Sequence, residues 1–200
     1  MFSVPANFIG DFKTGDNINY NLQILSTLYD CCEHEECNKN YLIKPIILTI
    51  MSVVEAVLCD FDSRIRWFTR EGVSNIPADV LGMVRSKNYD QLEKYIACAK
   101  KHDFFDSAYS QIYDDLNKLR EVRNRIHIQN KKNYTPRVEQ LAFQENNKVL
   151  AENVLEVVLR TMDKKYTRPP SVQGCVSDFS IPWSARHENI TSGNSNAQTV

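Results

Sequence analysis

Arg120, Arg123 and His127 are the residues of this sequence whose types and spacing best suit a chemical site. Arginine supplies planar, permanently charged N–H donors that match a phosphate, and histidine exchanges a proton near neutral pH. On a helix rising about 1.5 Å per residue, Arg123 and Arg120 would lie about 6 and about 10.5 Å from His127 along the axis. Both guanidiniums would therefore reach one phosphate beside the imidazole. The spacing predicts a site that handles phosphate groups.

These three side chains fall on the apolar face of a predicted helix. At about 100° per residue, that face continues through Arg120, Arg123 and His127, with Asn124 at its edge. A buried arginine needs a carboxylate, a phosphate or water as its partner, because an unpaired buried ion costs several kcal/mol. The apolar positions that define the face recur every three or four residues: Phe105, Tyr109, Ile112, Leu116 and Leu119.

Two explanations account for charged residues on the apolar face of this helix. In the first, the helix end emerges from the core, the arginines extend into solvent, and His127 is a boundary residue. In the second, a phosphate binds there. Glu55 bears on the choice because it lies at the border of the apolar arc of an earlier predicted helix. It is either exposed or the ion partner of Arg120 or Arg123.

Basic residues are concentrated around this segment although the whole chain is nearly neutral. Its 24 Lys and Arg against 25 Asp and Glu give a net charge of −1, so no global field indicates a nucleic-acid partner. Between positions 118 and 137, however, seven basic residues and one acid, Glu121, leave a local charge of +6. Such a run is either a solvated face or a surface for a polyanion. Besides Arg120 and Arg123, its basic members are Lys118, Arg125, Lys131, Lys132 and Arg137.

Length and patterning predict one helical domain with an extension at each end. A chain of 200 residues can bury one substantial core and does not favour two. We expect an N-terminal arm at 1–16, a helical domain at 17–166 and an irregular C-terminal tail at 167–200. Helices are predicted at 17–36, 39–70, 78–85, 89–101, 106–130, and from 138 or 145 to 166.

Two apolar features are expected to lie in or on the core. The run from Ile43 to Leu58 suggests a membrane span, but Lys44, Pro45 and Glu55 interrupt it below the roughly 18 to 20 residues required. We therefore expect it to be the central buried helix of the bundle, with no membrane partner. Part of the tail would be anchored on the helical body by its large apolar residues, Phe179, Ile181 and Trp183.

The cysteines favour a reduced, cytoplasmic protein. There are six of them, without paired spacing and without a secretory leader ahead of them. Cys31, Cys32, His34 and Cys37 have the side-chain types that ligate zinc, but zinc sites normally join two such clusters and the sequence offers one. We expect no metal and no cofactor.

The segment Leu119–Asn130, LREVRNRIHIQN, resembles the signature of the HEPN superfamily (higher eukaryotes and prokaryotes nucleotide-binding domains). That motif is an arginine, often followed by a polar residue such as asparagine, and separated by four to six residues from a histidine. Six residues separate Arg120 from His127, within the window, whereas Arg123-Asn124 reproduces the polar pair but leaves three. With its helical context, the resemblance extends over about residues 17 to 165.

The resemblance implies an all-α fold, an up-and-down bundle of four to five core helices, that pairs with a second copy. In active members both motifs face a shared cleft and cleave RNA without a metal. It further implies a toxin, phage-defence or restriction-linked setting, often with a nucleotidyltransferase-type antitoxin as partner. His127 would act as general base or acid, Arg120 with Arg123 would stabilise the developing charge, and Asn124 would orient the phosphate or the imidazole. The surrounding basic residues would bind the RNA backbone.

Two other functions remain open from the sequence. A non-catalytic HEPN-like module would use the motif helix for dimerisation or for nucleotide or RNA binding. A helical adaptor with no nucleotide ligand would pair Arg120 and Arg123 internally. An active ribonuclease would instead present His127 in a basic cleft.

Overall fold

The computed structural model of this protein is a bundle of α-helices with a two-stranded antiparallel sheet. It describes residues 1–34, 38–69, 72–105, 109, 111–127 and 138–187. The predicted all-α helical bundle is confirmed, and the small sheet is an addition that the sequence did not predict. In chain order the elements are β1 (Phe2–Val4), α1 (Phe12–Glu33), α2 (Lys39–Trp67), α3 (Ala78–Arg85), α4 (Leu92–His102), α5 (Ile112–Arg123), α6 (Glu145–Lys165) and β2 (Phe179–Ile181).

Helix α2 is the centre of the bundle. It contacts each of the other five described helices, and Ile46, Ile47 and Ile50 on it are fully buried. Among the described residues it is also the one helix long and apolar enough to cross a membrane, and half of its most apolar window is buried inside the protein. Contacts with all five of these helices are what a central core helix requires, as predicted for this segment.

Several helix boundaries differ from the predictions. Helix α2 ends at Trp67 rather than at 70, α4 begins at Leu92 rather than at 89, and α5 begins at Ile112 rather than at 106. Helix α1 begins at Phe12 rather than at 17, because the carboxylate of Asp11 accepts a hydrogen bond from the Lys13 amide at 3.2 Å and caps the first turn. Helix α5 ends at Arg123 and passes into a 3₁₀ turn at Asn124–Ile126. Asparagine, isoleucine and histidine propagate a helix weakly, which accounts for its early end. The predicted start of this helix at 106 and its end at 130 lie outside the described residues.

The N-terminal arm and the described part of the tail pack together on the helices. Strand β1 pairs antiparallel with β2, with Phe2 opposite Ile181 and Val4 opposite Phe179. The predicted anchors of the tail are confirmed, since Phe179 and Ile181 are fully buried and Trp183 is 6% exposed. The residues outside 17–166 thus contribute to the same core as the helices.

Asp60 and Arg64 of α2 hold the arm in place. Asp60 accepts hydrogen bonds from the amides of Gly10 at 2.8 Å and Asp11 at 2.9 Å, and burial raises the pKa of its carboxyl. The buried guanidinium of Arg64 donates to the carbonyls of Phe8 at 2.6 Å and Tyr166 at 2.7 Å. These bonds join the start of the chain to the end of α6 through the central helix.

Two buried carboxylates of α6 hold the segment after β2. Glu156 accepts from the amides of Arg186 at 3.0 Å and His187 at 3.0 Å. Glu152 accepts from the Arg186 guanidinium at 2.5 Å and from the hydroxyl of Tyr29. Because both carboxylates have charged or amide donors, their burial is compensated.

Candidate functional site at the end of α5

The buried face of α5 fixes the position of its arginines. Ile112, Leu116 and Leu119 are fully buried, and the helix packs against α2, α4 and α6. The predicted helical face is thus present from Ile112 to Arg123. Arg120 and Arg123 lie in the last turn, where a positive charge interacts favourably with the helix dipole.

Arg123 is held by the central helix. Its Nη2 donates to Oε2 of Glu55 on α2, and the two side chains are 33% and 27% exposed. Of the two alternatives for Glu55, the ion pair is the one present. The pair is only partly exposed to water, so the position of the Arg123 guanidinium is well defined.

Arg120 is held more loosely, by a carboxylate of α4. Its Nη1 lies 3.2 Å from Oε2 of Glu93. The Arg120 side chain is 18% exposed and that of Glu93 is 65% exposed. The Nε of Arg120 is buried and has no hydrogen-bond partner among the described residues. No sequence pattern indicates this contact, because the two residues belong to different helices and are 27 positions apart.

His127 follows the end of α5 rather than lying on it. It comes directly after the 3₁₀ turn, in an extended conformation with φ −86° and ψ 99°, and is exposed. The prediction that one helix continues through His127 is wrong, because the regular α-helix stops at Arg123. The imidazole is therefore close in sequence to both arginines and open to solvent, but the 3.6-residue period does not fix its direction. Asn124 is half-buried at the C-terminal cap of α5.

The predicted RNA-binding residues do not share one environment. Lys118 is exposed on α5, as a phosphate contact requires. Arg125 is 8% exposed and has interactions within the protein, which does not fit the predicted contact with RNA. Arg125 lies in the 3₁₀ turn, where residues three apart share a face, and the residue three before it, Val122, is buried. The basic run from which the contact was predicted does not report burial. Lys131, Lys132 and Arg137 lie outside the described residues.

No metal cluster is found in the described ranges. They contain no group of three or more His, Cys, Asp or Glu side chains that could hold a metal ion, and Cys37 of the zinc-like segment lies outside them. A groove of about 390 Å³ between α1 and α2 is lined by Asp11 and Asp60 and by no basic residue. Its negative charge does not suit a phosphate.

The end of α5 thus combines two carboxylate-held guanidiniums with an exposed imidazole in one short stretch of chain. Guanidiniums stabilise anionic oxygens, and an imidazole transfers protons near neutral pH. Arg120 and Arg123 each have five N–H groups, so one contact with a glutamate leaves further donors. When the chain was compared with protein-family models, curated proteins and solved structures, none of them matched.

Proposed function

We propose that this protein is a metal-independent endoribonuclease of the HEPN type, which leaves a 2′,3′-cyclic phosphate and a 5′-hydroxyl. The observation that carries the proposal is the exposed imidazole of His127 directly after the helix that presents Arg120 and Arg123. An arginine followed after six residues by a histidine, as in Arg120 and His127, is the order of the motif, and the histidine is accessible to a ligand. RNA is the substrate class, and no cofactor takes part in the chemistry.

The chemistry needs few groups because RNA carries its own nucleophile. The 2′-hydroxyl lies next to its phosphodiester, so proton transfer and charge stabilisation are sufficient. His127 takes the 2′-hydroxyl proton or returns a proton to the departing 5′-oxygen. Arg120, with Arg123 assisting, stabilises the charge that develops on the phosphorane oxygens. Asn124 orients the phosphate or the imidazole.

A homodimer completes the site in this proposal. Two motifs at a shared cleft would supply one imidazole to accept a proton and a second to donate one. The biological setting is then a cytoplasmic toxin or phage-defence effector, with a nucleotidyltransferase-type antitoxin as a partner. The exposed side chain of Lys118 supports contact with a polyanion next to the motif.

A non-catalytic HEPN-like module, for dimerisation or for RNA or nucleotide binding, is the second candidate, and one observation favours it. Both arginines already have carboxylate partners inside the chain, Glu93 for Arg120 and Glu55 for Arg123. Ion pairs of this kind can also stabilise the packing of the helices without any ligand, as in a helical adaptor. The three functions differ in whether RNA is cleaved, bound without cleavage, or ignored.

The test is cleavage of labelled single-stranded RNA in EDTA by the wild type, by His127→Ala and by His34→Ala. His34 is exposed at the C-terminal cap of α1, so its replacement is a matched control. We expect the wild type and His34→Ala to cleave, His127→Ala to lose at least about 100-fold in rate, and a 2′-deoxy substrate to resist. Full cleavage by a nuclease-free His127→Ala preparation would refute the mechanism, and binding without cleavage by the wild type would favour the module.

A further inference from the structure

We propose that Glu93 is a built-in competitor of the RNA phosphate at Arg120, displaced when RNA binds, whereas Glu55 stays on Arg123 and positions it. The inference rests on the proposed function, because the displacing ligand is a phosphate of RNA. It assigns different roles to the two arginines. Arg120 binds the phosphate, and Arg123 stays next to it, held by Glu55.

The two ion pairs differ in how easily each carboxylate can leave. Glu55 lies in the middle of α2, partly buried between packed helices. If its carboxylate moved away from Arg123, it would remain partly buried without a compensating charge, which is unfavourable. Glu93 lies in the first turn of α4 with most of its side chain in water. A glutamate there loses little solvation on moving away from its arginine, so only the outer pair is exchangeable.

Arg120 also has unused capacity for an anion. Among the described residues, only its Nη1 has a hydrogen-bond partner, and its Nε is buried without one. The Nε is enclosed by the protein, so the donors open to an incoming anion are on the two Nη atoms, of which Glu93 contacts one. A phosphate group offers several oxygens to one guanidinium and can take more of its donors. Exchange of Glu93 for a phosphate therefore improves the pairing of Arg120.

The consequence is a measurable penalty on RNA binding in the natural protein. RNA must displace Glu93, and an exposed ion pair is weak, so the penalty is small. Removing the charge with Glu93→Gln should strengthen binding by about two- to fivefold at low salt. The gain should shrink as salt is raised, because screening weakens the ion pair.

The experiment measures fluorescence anisotropy of a labelled single-stranded RNA in EDTA, with every protein carrying His127→Ala so that no substrate is cleaved. Glu121→Gln is the matched control, since Glu121 is exposed on α5 next to Arg120 and has no ion pair among the described residues. We expect Glu93→Gln to tighten binding by more than Glu121→Gln does. With Arg120→Ala added, the two variants should behave alike.

Three outcomes are informative. If Glu93→Gln and Glu121→Gln bind RNA equally in the presence of Arg120, or if Glu93→Gln binds more weakly, the competitor role is overturned. The ribonuclease proposal survives that result as long as the protein with His127 restored cleaves RNA. If neither variant nor the parent protein binds RNA, both the competitor role and the proposed function fail.

Discussion

The guanidinium of Arg123 and the carboxylate of Glu55 form an ion pair that joins α5 to the central helix, between residues 68 positions apart in the chain. The contribution of an ion pair to stability depends on its exposure to water. Fully exposed pairs contribute about 0 to 1 kcal/mol, whereas breaking a buried pair costs about 3 to 5 kcal/mol. Because the Arg123–Glu55 pair is partly exposed, we expect its contribution to lie between these two ranges. The pair both stabilises the fold and orients Arg123, a candidate site residue.

A double-mutant cycle on Glu55→Gln and Arg123→Ala should give a coupling energy of about 1 kcal/mol in the free energy of unfolding. Urea denaturation of the wild type, both single variants and the double variant measures it. The same cycle on Glu93→Gln and Arg120→Ala is the comparison, and its coupling should be smaller because Glu93 is mostly exposed. Equal coupling energies in the two cycles would contradict the inference that Glu55 holds Arg123 more firmly than Glu93 holds Arg120.

Arg186→Ala should lower the free energy of unfolding by about 1 to 3 kcal/mol, because it removes the guanidinium from the buried carboxylate of Glu152. Lys13→Ala is the control, since Lys13 is exposed and its side chain forms no hydrogen bond or ion pair within the described ranges. Thermal and urea unfolding compare the two variants. If both unfold like the wild type, the C-terminal segment does not depend on this ion pair.

Gly10→Ala should destabilise the protein by about 1 to 3 kcal/mol. A Cβ at Gly10 would lie 2.5 Å from Cγ of Arg64, whose side chain is buried and holds two carbonyls. Gly82→Ala, inside α3 with nothing within 4 Å, should instead stabilise by up to about 1 kcal/mol through helix propensity. Urea midpoints that move in the same direction for both variants would not agree with this packing.

Asp163→Asn should stabilise the protein at neutral pH and have less effect in acid. Burial, and then the negative charge of Asp178, raise the pKa of the Asp163 carboxyl in the folded state. The folded protein therefore binds this proton more tightly than the unfolded chain does. The contribution of Asp163 to stability is fully present below the ordinary aspartate pKa of about 3.9 and is lost as the pH rises through the folded pKa.

Unfolding free energies measured from about pH 3 to about pH 7 test this sign. The advantage of Asp163→Asn over the wild type should grow with pH across that range. Asp16→Asn, on the exposed face of α1, shows how much of the change comes from removing one surface charge. An advantage that falls as the pH rises would contradict the raised pKa.

The sequence alone determined the class of the fold and several of its elements. Apolar residues spaced by three or four identify helices, because the period of a helix is a local property of the chain. The sequence also predicted α2 as the core helix from its apolar run, and α3 at its observed bounds. The large apolar residues of the tail predicted its anchors, Phe179, Ile181 and Trp183. The sequence left two alternatives for Glu55, exposure to solvent or an ion pair with Arg120 or Arg123, and the pair with Arg123 is the one present.

Only the tertiary structure decided the surroundings of the candidate site. The partner of Arg120, the burial of Arg125 and the position of His127 after a 3₁₀ turn were not accessible from periodicity. Ion pairs join helices that are distant in the chain, so they depend on how those helices pack. A helix end depends on the balance between weak local propensities and contacts made elsewhere, and the chain alone does not reveal those contacts.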